Sequence, residues 1–156
     1  MVKTHRDGGP ATPEPTSPGP APGPADCWVF DVDGCLVDSL TGTSLRPGAR
    51  AVLEHLAHGG RRIILWSAGG DEYARARAEQ FGVDGLVSAY FSKEDRDGDG
   101  AFGTGHLPLT GSRAVFFDDR PEDLGRDLDV LAVSPYLCDD PHDRGLVPVA
   151  RRAGLR

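Results

Sequence analysis

Three compact apolar runs stand out from an otherwise polar chain: CWVFDVD from Cys27, RRIILWSAGG from Arg61 and RAVFFDDR from Arg113. Their apolar residues are consecutive instead of alternating, so each run predicts a short strand buried on both faces. Two weaker runs, GLVSAYF at 85–91 and DVLAVSP at 129–135, predict two more strands. Between the first two runs lies PGARAVLEHLAHGG, with a proline suited to a first helical turn, Ala51, Val52, Leu53 and Leu56 at helical spacing, and a stop at Gly59-Gly60. DEYARARAEQFG, from Asp71, repeats that helix-then-glycine arrangement. Strands alternating with helices imply right-handed crossovers, and therefore a parallel sheet covered on both faces. The expected architecture is α/β: a single Rossmann-like three-layer sandwich with a five-stranded parallel sheet over residues 26–150.

Residues 1–25 differ in kind. They are rich in Pro, Gly, Ala and Thr and have almost nothing apolar to bury, so they predict a disordered tail. A chain of 156 residues with 38% hydrophobic content suffices for one core beside such a tail. The net charge of -7 does not favour nucleic acid or anionic lipid as partners. Cys27, Cys35 and Cys138 are odd in number and lack C-x-x-C or metal-finger spacing, which fits reduced thiols in a cytoplasmic protein better than a disulfide framework. No apolar stretch approaches membrane-spanning length and no secretory signal is apparent, so no membrane association is expected.

In open parallel sheets, ligands sit beyond the carboxyl ends of the strands. The polar residues there are Asp31 and Asp33 after the first strand, Ser67 after the second, and Asp118 and Asp119 after the third long run. Acids packed at a tight turn repel one another unless a cation or substrate uses them, and four such carboxylates form an oxygen-rich set suited to a hard ion such as magnesium. A competing pattern, DRDGDGAFGTGH at 95–106, places Asp95, Asp97, Asp99 and Gly100 like the first half of a calcium-binding EF-hand loop. Its twelfth position is His106 instead of a bidentate glutamate, and no apolar helices flank it, so a polar loop or hairpin turn is expected. His55, His58, His106 and His142 lack ligand spacing. Asp38 and Ser39 suit a capping role, and Cys35 a small buried position.

DVDGCLVDS at 31–39, WSAGG at 66–70 and FFDDRPEDL at 116–124 resemble, in order, the first, second and fourth signatures of the haloacid dehalogenase superfamily. The similarity spans about residues 26–135. It implies a magnesium-dependent phosphomonoester hydrolase in which Asp31 is the nucleophile that forms an aspartyl-phosphate and Asp33 moves protons to the leaving group and from water. It implies further that Ser67, with Ala68 and Gly69, holds the phosphoryl oxygens, and that a basic residue neutralises them, Lys93 by position in preference to Arg113. Magnesium would be held by Asp31, by the backbone carbonyl of Asp33 and by the pair Asp118 and Asp119, with Asp119 touching the ion and Asp118 supporting it. Only one helix-sized segment separates Ser39 from Ser67, and one separates Gly70 from Tyr90, so no cap domain is expected and a phosphorylated substrate that is bulky or proteinaceous fits best. Two alternatives remain open: a phosphotransferase with the same intermediate, and a non-catalytic binding module of this fold.

Overall fold

The computed structural model describes residues 24–156. The tail expected over 1–25 thus lies, as far as residue 23, outside the described residues. Ala25 packs into the core. The chain runs β1 (Cys27–Phe30), α1 (Ala49–His58), β2 (Arg62–Ser67), α2 (Asp71–Gln80), β3 (Ala89–Ser92), β4 (Ala114–Asp118), β5 (Val130–Ala132) and α3 (Val147–Ala153). All five strands are parallel in the order β3-β2-β1-β4-β5, a Rossmann-like α/β arrangement. Strand order reverses between β1 and β4, the switch point beyond whose carboxyl ends ligands bind in open sheets of this kind.

The strand side chains divide between two cores, as a pleated strand requires. Trp28, Phe30, Leu65 and Phe117 face one side, where Leu53 and Leu56 of α1, Ala74 and Ala78 of α2 and Val149 of α3 cover them. Trp28, Phe30 and Phe117 stack with ring centroids 4.7 to 6.5 Å apart, and each such aromatic pair adds about 1 kcal/mol beyond area burial. Cys27, Val29, Ile64, Trp66 and Phe116 face the other side, against Leu107 and Leu124 from loops. The sandwich therefore departs from the expected symmetry: all three helices bury residues on one face, while the connections after β3 and β4 cover the other. The right-handed crossover rule explains which segment lies where. The chain steps from β1 to β3 in one direction with helices on one face, then returns through β4 to β5 in the other direction with its connections on the opposite face. Those return connections carry isolated apolar residues instead of a helical stripe, so they pack as loops.

Smaller departures have local causes. Residues 85–86 belong to a 3-10 turn, Asp84–Leu86, and β3 starts only at Ala89. Pro47 precedes α1 by two residues, because Gly48 at φ 84° forms the helix's N-terminal boundary. The 95–106 segment is a turn closed by a bridge between Arg96 and Phe102, with the Asp97 carboxylate accepting the amides of Asp99 and Ala101. Among the described residues, no helix is long and apolar enough to cross a membrane.

Candidate active site

β1 and β4 are paired in register through Phe30 and Phe117, so the next residues stand side by side: Asp31, just beyond β1, and Asp118, the last residue of β4. The Asp31 amide donates to the Phe117 carbonyl at 2.9 Å and fixes that alignment. Asp31, Asp118 and Asp119 each offer a carboxylate oxygen within 4.8 Å of the others. Lys93, one residue beyond β3, completes the cluster: its Nζ lies 2.9 Å from Asp31 Oδ1 and 2.7 Å from Asp118 Oδ2. To reach them the side chain crosses the end of β2, with Nζ 5.4 Å above the Trp66 ring and 5.5 Å from that of Phe102. The two rings shield the ammonium from water and attract it electrostatically, and its hydrogen-bond partners among the described residues are the two carboxylates.

Crowding sets the protonation of the cluster. Burial pushes the Asp31 carboxyl up from 3.8 to about 8; Lys93 opposes this, and the charges of Asp118 and Asp119 add to it. Burial likewise raises Asp119. Burial alone would lower the Lys93 ammonium, but Asp31 and Asp118 outweigh it and hold the group above its usual value. The donor set suits a hard divalent cation: it is all oxygen, anionic, largely buried, and short of positive charge with only one lysine for three acids.

The turn after β1 supports this arrangement. Gly34 has φ 77°, and a Cβ there would stand 2.4 Å from Asp119 Oδ2, so only glycine lets the two loops close on each other. Asp38 is fully buried within the following loop, which wraps it: the amides of Thr41, Thr43 and Ser44 and the hydroxyls of Thr41 and Ser44 all donate to its carboxylate. Burial opposes ionisation of Asp38, but these donors hold its carboxyl well below the usual carboxylate range. This loop-capping role matches the reading of Asp38 from sequence.

The other expected site residues lie at the same end. Ser67 ends β2 and is 1% exposed; its Oγ accepts the Gly69 amide at 3.0 Å, and its carbonyl accepts the Lys93 amide at 2.8 Å. Ala68 and Gly69, directly after Ser67, are exposed. The Asp33 carboxylate turns away from the other three acids and accepts the Tyr73 phenol at 2.5 Å. Arg113 lies before β4, at the opposite end of the sheet, so only Lys93 of the two basic candidates reaches the acids. Cys35 is buried, and burial raises its thiol well above the usual value, so it stays protonated.

Two residues went unread in the sequence. Tyr73, in the first turn of α2, orients Asp33 across a separation of 40 residues. Arg46, 1% exposed, donates to both oxygens of Asp143 at 2.6 and 3.0 Å, to Ser134 Oγ at 3.0 Å and to the Cys35 carbonyl at 3.2 Å. It ties the C-terminal segment to the turn that carries the acids. A Cβ at Gly145 would fall 1.7 Å from its guanidinium, which leaves room for no side chain there. Neither role has a local sequence signal, since an isolated tyrosine or arginine names no distant partner. In comparisons with known proteins, no family model and no curated protein matches the chain.

Proposed function

We propose that the protein is a magnesium-dependent phosphomonoester hydrolase of the haloacid dehalogenase type, without a cap domain and working in the cytoplasm. The observation that carries this reading is the convergence of Asp31, Asp118 and Asp119 within 4.8 Å, bridged by Lys93, at the switch point of a parallel sheet. The ordered resemblance of residues 31–39, 66–70 and 116–124 to the superfamily signatures supports it further.

In this reading an Asp31 oxygen attacks phosphorus and the ester P–O bond breaks, leaving an aspartyl-phosphate. Asp33, oriented by Tyr73, gives its proton to the departing oxygen and then takes one from the water that attacks the intermediate, so that phosphate leaves and both acids are restored. The Lys93 ammonium balances charge on the phosphoryl oxygens, and Ser67 with the amides of its turn can hold them. Magnesium, held by Asp31, Asp118, Asp119 and the Asp33 carbonyl, would supply positive charge to offset repulsion between nucleophile and phosphate. The same charge would return Asp31 to its ionised, nucleophilic form. Among the described residues no inserted unit follows β1 or β2, and Ala68, Gly69 and Arg120, next in the chain to site residues, are exposed, which favours a bulky phosphoester or a phosphoprotein as substrate. Three free cysteines fit a reducing compartment.

The test is a panel of aryl phosphates, phosphometabolites and phosphopeptides assayed with magnesium and with chelator. Turnover that needs magnesium is the expected result; no turnover of any phosphoester, or full activity in chelator, would contradict the reading.

A further inference from the structure

At the amino ends of the strands, opposite the acids, a cavity of about 530 Å³ gathers positive charge. Arg61 immediately precedes β2, Arg113 immediately precedes β4, and Arg152 comes from α3. His55 and His58, from the last turn of α1, lie beside them. Trp28, 3% exposed, presents an apolar floor. Among the described residues no carboxylate lines the cavity, although the chain as a whole carries a net charge of -7. Arg152 is engaged by Asp129 at the rim, and His55 Nε2 meets the Ala153 carbonyl at 2.9 Å. The side chains of Arg61 and Arg113 have no hydrogen-bond or ion-pair partner among the described residues. The carboxyl end of α1 faces this region and would repel an anion. Its last carbonyls, however, are already taken by the amides of Gly59, Gly60 and Arg61, which leaves the guanidinium groups to set the local field.

We propose that this cavity is a binding site for a small organic polyanion of the nucleoside-diphosphate kind, separate from the acid cluster. Arg61 and Arg113 would engage the charged groups and the Trp28 side would receive the ring system. Guanidinium groups bind phosphate through charge-assisted, often paired hydrogen bonds, and unpaired ones on an acidic protein are free to do so. The volume exceeds what a bare phosphate needs and lies within the roughly 300–1,000 Å³ of ordinary ligand sites. The inference stands whether or not the acid cluster is a phosphohydrolase site.

The test is calorimetric titration of the full chain with ADP, in chelator so that no metal-nucleotide complex can engage the acids. Saturable binding of ADP is expected, with adenosine failing to bind. Arg61→Gln/Arg113→Gln should weaken ADP by about tenfold or more while melting within a few degrees of wild type, and Asp31→Asn should bind ADP as wild type does. Should the double variant unfold, Arg113→Gln alone, at an exposed position, is the variant to measure. Failure of ADP to saturate, equal affinity of ADP and adenosine, undiminished binding by the arginine variants, or loss of binding in Asp31→Asn would each overturn the proposal.

Discussion

The two ends of the sheet are built in opposite ways. At the carboxyl ends, Asp31, Asp118 and Lys93 sit nearly out of water with the lysine in hydrogen-bonding reach of both acids, and the half-buried Asp119 joins them within 4.8 Å, held by a glycine turn, an aromatic pair and a buried arginine. At the amino ends, three arginines and two histidines surround an open cavity, and the side chains of two of the arginines have no partner among the described residues. The first end stores unfavourable electrostatics: its carboxyl groups are forced together and Asp31 is pushed up to about 8. Such cost persists where a function needs it, and it concentrates at the strand ends where loops are free to vary. The amino end stores little, because solvated guanidinium groups need no compensation.

The largest effect that would separate the two ends is Asp31→Asn. Assayed on any phosphoester the wild type hydrolyses, it should lower kcat by at least about a thousandfold, since an amide nitrogen cannot form the intermediate. Residual activity near wild type would assign the chemistry elsewhere.

Lys93→Gln comes next. Removing the ammonium leaves Asp31 and Asp118 buried without their partner, which should cost about 3 kcal/mol in urea unfolding and lower kcat/KM by roughly a hundredfold. An equal loss from a substitution of the exposed Arg120 would show that burial is not what makes Lys93 matter.

Gly34→Ala probes the fit of the two loops. The added methyl group meets Asp119 at a positive φ, so stability should drop by about 1–3 kcal/mol and apparent magnesium affinity by about tenfold. Unchanged metal dependence of activity would show that Asp119 does not serve the ion.

Protonation of Asp31 makes a smaller effect with a definite sign. Its folded value lies above its ordinary 3.8, so the native state binds the extra proton between about pH 4 and 8. Stability from this group is complete below its ordinary value and is lost as pH rises through about 8. Without divalent cations the melting temperature should therefore fall by a few degrees from pH 6 to 9, less steeply in Asp31→Asn, and magnesium should restore it. A Tm that rises over that range would refute the assignment.

The smallest effect is expected at the acidic turn of 95–106. Asp97→Asn, whose side chain still accepts the same amides, should change stability by no more than about 0.5 kcal/mol, and calcium should not stabilise the wild type through this loop.

What the sequence made legible follows from the range of the interactions. The three strands with consecutive apolar residues were readable because burial on both faces leaves a contiguous signature, and Asp31, Ser67 and Asp118 were readable because they end those strands. α3 was not: Val147–Ala153 has proline in its first turn and buries only Val149, too little for a helical pattern. The loop-covered face was equally hidden, since Leu107 and Leu124 are single apolar residues in polar surroundings. Tyr73 and Arg46 act on partners tens of residues away, and the basic cavity takes its arginines from separate elements. Contacts of that range leave no local trace.

The most direct test of the acid end is a covalent one. Asp33→Asn protein would be mixed with magnesium and p-nitrophenyl phosphate, whose leaving group needs no proton, then quenched in acid and digested for mass spectrometry. The account predicts a phosphoryl group on the peptide containing Asp31, accumulating with the release of nitrophenol; release of nitrophenol with that peptide unmodified, or label on another residue, would contradict it.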